Sequence, residues 1–347
     1  MALRQLLHAI IGGLAVASTS PAQCQDAVEQ FFRGKTINIY VGSSAGGGYD
    51  TYARLVARHL GKRIPGQPTI VVQNMPGAGS NKAAGYIYSV APKDGTAIGA
   101  IQPGAVLQKL HSDQPLPHDP SKFILLGSAA SGVYLCLLRA DAPVKSFAET
   151  FTKEILIGTS GEGASLRIMP VLLVNVLGVK LRLIGGYAGS NQILLAIERN
   201  EVHGMCGMSW SSISMQRGAS IKDGSLRAIV QEDLQGHPEL NKQGVPLAIS
   251  FAKTTEERQV MEAIYSQNMF GRPYVLPEGV PPDRVAALRK AFIETMNDPA
   301  LVAEADKAGM ELGARDGEEV QTLVNKLYAL PASVVERTKK AMIYKPK

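Results

Sequence analysis

The 347-residue sequence predicts an α/β fold in two lobes, and three observations lead to this prediction. Short apolar runs alternate with helical segments from residue 35 onward, which is typical of a mostly parallel sheet covered by helices. A second alternation of the same kind begins near residue 131, and the last third of the chain is helical. The length exceeds that of one typical domain and suits two.

In the first unit, strand and helix signals alternate along the chain. Strands are predicted at 36–41, 69–72 and 97–101, where apolar and β-branched residues run together. Helices are predicted at 50–60 and 84–91, where apolar residues recur every three to four positions. Strands connected by helices pair in parallel, so their carboxyl ends meet at one edge of the sheet.

The second unit repeats this arrangement, and helices follow it. Its strands are predicted at 133–138, 154–158, 181–184, 203–208 and 226–231. Its helices are predicted at 166–177 and 191–199, and the C-terminal helices from 281–283 through 296, from 299, and at 317–328. The predicted division is a signal peptide at 1–24, lobe 1 at 33–130 plus 236–347, and lobe 2 at 131–235.

Residues 1–24 have the features of a secretory signal peptide. Arg4 and His8 precede an apolar run at 9–17, and small residues follow it, among them Ala22. The run is shorter than the ~20 apolar residues that a membrane-spanning helix needs. The sequence therefore predicts an exported protein that resides in the periplasm.

The charge pattern does not indicate a nucleic-acid partner. The net charge is +6, but the basic residues are scattered along the chain rather than clustered on one face. The histidines have no spacing typical of a metal site. The glycine-rich turn at 42–50 matches neither the dinucleotide-binding nor the nucleoside-triphosphate-binding motif. The sequence therefore predicts neither a metal nor a cofactor.

Two cysteines, Cys136 and Cys206, remain if Cys24 leaves with the signal peptide. Both lie in apolar, strand-like stretches, where buried free thiols are common. A disulfide between them would persist in an oxidising compartment, but sequence does not show how far apart the two sulfurs lie. Both alternatives stay open.

Two glycine-rich turns, at 42–50 and 74–81, each follow a strand of the first unit and precede a helix. Glycine lets the backbone approach a ligand closely, and the free N–H groups of a helix start favour an anion. Asp50 suits capping of the first helix, and Ser80 or Asn81 suits capping of the second. Together the turns predict an anion pocket built on backbone dipoles, without a matched lysine or arginine.

The second unit offers matching turns at its own strand ends. The turn at 159–165 supplies hydroxyl groups, and the turn at 185–191 supplies Tyr187, which has both a ring face and a donor. The strand that ends near residue 208 is followed by the only tryptophan, Trp210. This side chain either lines the cleft or packs in the core.

A hydrolase is the rival interpretation of the same turns. A nucleophile elbow requires the pattern G-x-S-x-G, and the nearest matches, at Ser160 and Ser209, lack the second glycine. No recognised acid–base pair of carboxylates accompanies either serine. The sequence therefore favours a binding protein, with a secreted hydrolase or transferase on a similar two-lobed scaffold as the alternative.

Together these turns resemble the Bug or TctC-like substrate-binding proteins of tripartite tricarboxylate transporters. The matching segments are G-G-x-x-D at 46–50, N-x-P-G-A-G-G at 74–80 with Ser80 for the last glycine, A-P-x-D-G-x-T approximated at 91–96, Y-x-G at 187–189, G-E-V-D approximated at 200–203, and the segment 275–281. The resemblance implies a type II periplasmic-binding, Venus-flytrap fold. It also implies crossovers near 128–133 and 231–236, with the C-terminal helices returning to lobe 1.

The resemblance further implies a site that holds the carboxylate of a small ligand through backbone N–H groups and hydroxyls. The expected ligands are di- or tricarboxylates, aromatic acids or amino-acid-like acids, and the expected partners are the membrane subunits of a tripartite tricarboxylate transporter. A monomer is expected. The family commonly has a bulky residue at Ser43 and threonine at Tyr49, so the pocket size differs here. The candidate ligand-binding residues are Ser43, Ala45, Gly48, Tyr49, Asp50, Gly77, Ala78, Ser80, Thr159, Ser165, Tyr187 and Trp210.

Overall fold

The computed structural model describes residues 21–116 and 118–344, with side chains from Asp26 onward. The predicted signal peptide at 1–24 lies almost entirely outside the described residues. Within them, no helix combines the length and the apolar character that crossing a bilayer requires.

The described residues form two sheets and the helices that cover them. The strands are β1 (Thr36–Val41), β2 (Thr69–Asn74), β3 (Ala97–Ala100), β4 (Ile124–Ser128), β5 (Tyr134–Arg139), β6 (Ile155–Gly158), β7 (Leu181–Ile184), β8 (Gly204–Ser209), β9 (Leu226–Glu232), β10 (Pro273–Leu276) and β11 (Arg315–Asp316). The helices are α1 (Pro21–Phe32), α2 (Gly48–Leu60), α3 (Asn81–Ser89), α4 (Pro103–Val106), α5 (Gln108–His111), α6 (Ser165–Leu172), α7 (Ser190–Glu198), α8 (Trp210–Lys222), α9 (Pro238–Lys242), α10 (Thr255–Tyr265), α11 (Pro282–Met296), α12 (Pro299–Lys307), α13 (Gly317–Tyr328) and α14 (Ala332–Ala341).

Both sheets are mixed, and most strands of each run in the same direction. The first has the order β11-β4-β10-β3-β1-β2, and the second has the order β7-β6-β8-β5-β9. In the first sheet β1 is parallel to β2 and β3, while β10 runs antiparallel between β3 and β4. In the second sheet β6 is parallel to β7 and β8, while β5 is antiparallel to β8 and β9. Each sheet thus has a parallel group of three strands, and their carboxyl ends lie together.

The second sheet contains a disulfide between neighbouring antiparallel strands. Cys136 of β5 and Cys206 of β8 are bonded and buried, which decides the alternative that the sequence left open. The bond lies within the core formed by residues such as Ile157, Met169 and Tyr265.

The second crossover lies later in the chain than the sequence predicted. Segment 231–236 turns within the second sheet's layer, where Gln231 bridges to Leu247. Helix α10 then packs into the second core through Val260, Met261, Ile264 and Tyr265. The chain returns to the first sheet only between Tyr265 and Pro273. The crossover lies later because the apolar face of α10 packs on the second core before the chain returns. The other limits of the two lobes stay a prediction.

The two crossover segments run side by side. The N–H of Ala129 donates to the Arg272 carbonyl at 3.0 Å, and the N–H of Gly132 donates to the Asn268 carbonyl at 3.0 Å. Two adjacent strands of backbone are the usual form of a hinge, because small φ/ψ changes there move the lobes as bodies.

The last helix departs from the expected return to lobe 1. Helices α11 and α12 pack on the first core as predicted, but α14 packs against α10 of the second core and against α5. Beyond it, the hydroxyl of Tyr344 accepts a hydrogen bond from the N–H of Leu183 in β7. The C-terminal segment therefore contacts both layers.

Candidate functional site

The carboxyl ends of the parallel strands of both sheets face each other across a cleft that contains two adjoining cavities. The inner cavity has a volume of about 40 Å³ and the outer one about 310 Å³. Gln102, Ser160 and Ala188 line both, so the two are neighbours. Larger hollows of about 590 and 690 Å³ lie beside α5 and α14, away from these strand ends. We place the site in the cleft, because the strand ends and helix starts converge there.

The first turn is held in shape by the carboxylate of Asp50. It accepts hydrogen bonds from the N–H of Gly46 at 2.8 Å, from Arg54 at 2.9 Å and from the amide of Asn74 at 2.8 Å. Burial raises the pKa of Asp50, but the hydrogen bonds from Arg54, Gly46 and Asn74 outweigh it and hold the pKa below its usual value. Asp50 lines neither cavity, and Gly47 occupies the N-cap position of α2. Its role in the structure is to fix the turn.

The second turn exposes backbone to the outer cavity. Gly77, Ala78, Gly79 and Ser80 all have positive φ, and Gly77 and Ala78 line the cavity. Ser80 precedes α3 but makes no side-chain cap. Its hydroxyl instead donates to the Gly42 carbonyl at 2.9 Å and accepts from the N–H of Gln102 at 3.1 Å. Ser80 thus ties the ends of β1 and β3 to the turn.

The two lobes touch through backbone at this turn. A Cβ atom added to Gly79 would lie 2.0 Å from the Glu162 carbonyl oxygen, so only glycine allows this approach. The N–H of Ser165 donates to the side chain of Gln102 at 3.1 Å, again across the cleft. The described arrangement is therefore a closed one.

The other predicted site residues fall into two groups. Ser43, Gly48, Tyr49, Ser165 and Tyr187 line one of the two cavities, as Gly77 and Ala78 do. Ala45, Asp50, Ser80, Thr159 and Trp210 line neither. The hydroxyl of Thr159 donates to the Ile184 carbonyl, and Trp210 packs in the core against His237. Direct ligand contact by any of these residues stays a prediction.

Three serine hydroxyls in the inner cavity have no hydrogen-bond partner among the described residues. They belong to Ser43, Ser44 and Ser160, and their oxygen atoms are buried. The side chains of Ser43 and Ser160 are only 8% and 9% exposed. Buried polar groups are normally paired, so a cavity with three unpaired hydroxyls is suited to a ligand that carries several oxygen atoms.

A buried cation lies in the same cavity, contrary to the expected absence of a matched lysine or arginine. Arg272 is 5% exposed, and its Nη2 donates to the hydroxyls of Ser209 at 2.9 Å and Ser212 at 2.7 Å. Its guanidinium carbon lies 4.5 Å from the ring centre of Tyr49 and 4.4 Å from that of Tyr52. Sequence analysis missed this residue because it comes from the crossover, and only the topology brings the crossover to the cleft.

The tyrosines around Arg272 do not neutralise it. Burial raises the pKa of Tyr49 well above its usual value, and burial also raises the pKa of Tyr134, although Arg272 opposes both shifts. The Tyr49 hydroxyl donates to the Gly271 carbonyl at 3.0 Å, and Tyr134 lies next to it. Both phenols therefore stay protonated near neutral pH.

A second buried ionisable group, Glu232, lies just outside the inner cavity. Its carboxyl accepts a hydrogen bond from the N–H of Gly207 at 2.7 Å, and burial raises its pKa to about 8. The sulfur of Cys136 lies 3.6 Å away. Both sulfurs near it belong to the disulfide, so this group does not offer a thiolate to a metal ion.

Comparison with known proteins identifies the family. A family model described as the tripartite tricarboxylate transporter family receptor, TctC, matches residues 52–338. The chain belongs to this family. Its members are periplasmic solute-binding proteins, so this TctC-family chain binds a solute rather than converting it.

Individual relatives agree with this assignment. A UPF0065 protein of the gbd 5' region of Cupriavidus necator is 25% identical over 313 residues, which are 86% of this chain and 87% of the relative. The structure of the periplasmic binding protein BugD matches with a TM-score of 0.69 at 22% identity, over 88% of this chain and 97% of its own. MatC from Rhodopseudomonas palustris, solved with bound malate, matches with a TM-score of 0.69 at 20% identity, over 89% and 99%. The two structures confirm the fold.

Proposed function

We propose that this chain captures a small carboxylate in the cleft and delivers it to the membrane subunits of a tripartite tricarboxylate transporter. The observation that carries the proposal is the set of unpaired hydroxyls of Ser43, Ser44 and Ser160 in a buried cavity. Carboxylate oxygens accept several hydrogen bonds each, so one ligand group satisfies donors from both lobes. MatC, which shares the fold, was solved with malate.

The surrounding backbone favours an anion. Helix α2 begins at Gly48, which lines the inner cavity, so the positive end of its dipole faces the ligand. The positive-φ turn at Gly77 and Ala78 presents backbone to the outer cavity. No Asp or Glu lines either cavity among the described residues, so nothing there repels a carboxylate.

Ligand exchange requires the cleft to open. The contacts between Gly79 and Glu162, and between Ser165 and Gln102, close it in the described arrangement. The paired crossover segments provide the hinge, and separation of the facing turns exposes the ligand to solvent. Capture and release therefore use the same motion.

The rival hydrolase lacks a general base in the cleft. Ser160 and Ser209 line the inner cavity, but no histidine lines either cavity among the described residues. The hydroxyl of Ser209 instead accepts from Arg272, which makes it a poorer nucleophile.

The test is a thermal-shift screen of the mature protein against mono-, di- and tricarboxylates, aromatic acids and amino acids. A ligand at a hundred times its Kd stabilises the folded state by about 2.7 kcal/mol, which shifts the melting temperature measurably. The double variant Ser43→Ala/Ser160→Ala should lose most of the shift. Ser250→Ala, which removes an exposed hydroxyl bonded within its own turn, is the matched control and should retain it. Absence of a shift with every acid, together with turnover of an ester or amide, would overturn the proposal.

Residence in the periplasm, monomeric state and the transporter partner are part of the same proposal. Intact-mass measurement of protein recovered from the periplasmic fraction should show a chain that lacks the predicted signal peptide at 1–24. Light scattering of that protein should give the mass of one chain. Recovery of the full-length chain from the cytoplasm alone would contradict export.

A further inference from the structure

Arg272 is a positive charge without an opposite charge. It forms no ion pair with any carboxylate among the described residues, and its donors other than Nη2 have no acceptor there. The neighbouring phenols of Tyr49 and Tyr134 stay protonated. A guanidinium does not lose its proton in proteins, so burial leaves it charged.

The surroundings of Arg272 are built from hydroxyl groups. Ser209 precedes α8, and its hydroxyl accepts from the N–H of Ser212. The hydroxyls of Ser209 and Ser212 both accept from Arg272 and carry no charge that would balance it. The unpaired, nine-tenths buried hydroxyls of Ser43 and Ser160 line the same space.

The two cavities differ in size: the inner one suits a single acid group, and the outer one suits the rest of a ligand. The inner cavity of about 40 Å³ exceeds the roughly 10–15 Å³ that one water needs, so it suits one small polar group such as a carboxylate. The outer cavity of about 310 Å³ adjoins it at Gln102 and Ser160 and extends to the turn at Gly77 and Ala78.

We propose that Arg272 binds one acid group of a compact dianionic acid in the inner cavity, while the second acid group lies against the turn at Gly77 and Ala78. This inference rests on the proposed capture of a carboxylate and adds the ligand's charge. Arg272 thereby selects dianions over monoanions of equal length. The rings of Tyr49 and Tyr52 both lie against the guanidinium, and hydrogen bonds to Ser209 and Ser212 orient its Nη2 group.

The alternative role of Arg272 is a purely structural one. Its contacts reach α2 of the first layer through Tyr49 and Tyr52, and α8 of the second layer through Ser212. A residue that only joined the two layers would affect every ligand equally. Selectivity between two ligands that differ in one charge therefore separates the two roles.

Isothermal titration of the mature protein with matched pairs, such as succinate against succinamate and glutarate against glutaramate, tests the proposal. The wild type should bind the better dianion about tenfold or more tightly than its monoamide, because a hydrogen bond to a charged group is lost in the amide. Arg272→Gln should reduce that ratio to near one and leave the affinity for the monoamide within about threefold.

Arg284→Gln is the matched control. Arg284 also stacks on an aromatic ring, that of Phe31, and donates to the Asp94 carbonyl, but it lines neither cavity. Its variant should keep the wild-type ratio. If Arg272→Gln fails to fold, Arg272→Lys replaces it, and its ratio should lie below that of the wild type.

Two results would overturn the inference. The first is a wild type that prefers the dianion in none of the pairs. The second is an affinity ratio that survives removal of Arg272, as it does when both members of a pair lose affinity equally. Binding of none of the acids by the wild type would instead overturn the proposed function, so the two failures are distinguishable.

Discussion

Arg272 and Glu232 are both buried, and neither has an oppositely charged partner among the described residues. Both contact the end of β8, where Arg272 donates to Ser209 and Glu232 accepts from the N–H of Gly207. Burial disfavours the charged form of Glu232, whose carboxyl takes up a proton at accessible pH. A guanidinium, in contrast, stays charged in proteins.

Glu232 therefore avoids a buried charge by taking up a proton, whereas the charge of Arg272 is balanced only when an anion binds. With a pKa raised to about 8, the Glu232 carboxyl is mainly neutral at pH 7 and serves as part of the core. Arg272 stays charged within a cavity of unpaired hydroxyls. A buried charge that cannot be removed is a stronger indication of a ligand site than a shifted pKa, which arises in structural positions as well.

The largest expected effect on stability comes from removing the disulfide beside Glu232, which tests whether that side of β8 is structural. Cys136→Ala/Cys206→Ala opens a loop of 70 residues, and loop-closure entropy predicts a loss of about 4 kcal/mol in the free energy of unfolding. Denaturant titration measures the loss. If the Glu232 side of β8 is structural, ligand affinity measured well below the melting temperature should stay within about threefold of wild type. A loss of affinity without a loss of stability would contradict the contrast.

Replacement of Glu232 itself should show the cost of its burial. Its pKa rises from 4.5 to about 8 on folding, so the folded state binds the proton more tightly, and the resulting stability is complete below pH 4.5 and lost as pH rises toward 8. Glu232→Gln does not titrate. Its stability relative to wild type should therefore grow by about 3 kcal/mol between pH 5 and pH 7.5, at 1.36 kcal/mol per pH unit.

Paired urea titrations at the two pH values measure this difference. Glu262→Gln, on an exposed part of α10, is a control that should give no such growth with pH. A stability difference that is flat with pH would show that Glu232 is ionised in the fold, and the comparison with Arg272 would fail.

The features that the sequence predicted correctly are those that depend on residues close to each other in the chain. The strands at 36–41 and 181–184 and the helix at 317–328 were predicted with the bounds found, because local periodicity decides them. The glycine-rich turns were found for the same reason. The position of α10 and the reach of Arg272 into the cleft depend on which sheet a later segment joins, and no local pattern around residues 271–273 carries that information.

The site residues also divide into those that a local motif predicts and those that depend on the packed structure. Gly77 and Ala78 line the cavity through backbone that the turn motif itself dictates. Ser44 and Ser160 were present in the predicted turns but were not among the candidate ligand-binding residues, because an unpaired hydroxyl is a property of the packed structure. Trp210 was assigned to either the cleft or the core, and its packing against His237 places it in the core.

The smallest expected effect concerns Asp50, a charged residue of the cleft region that does have partners. Asp50→Asn weakens three hydrogen bonds, including the one from Arg54, and should cost about 1–2 kcal/mol in the free energy of unfolding. Because its folded pKa lies below the usual value, this contribution is present above pH 3.8 and is lost as pH falls. The stability difference should therefore disappear in acid. Ligand affinity should fall less than about threefold, since the carboxylate fixes the turn and lines neither cavity, whereas a tenfold loss would return Asp50 to the ligand site beside Arg272.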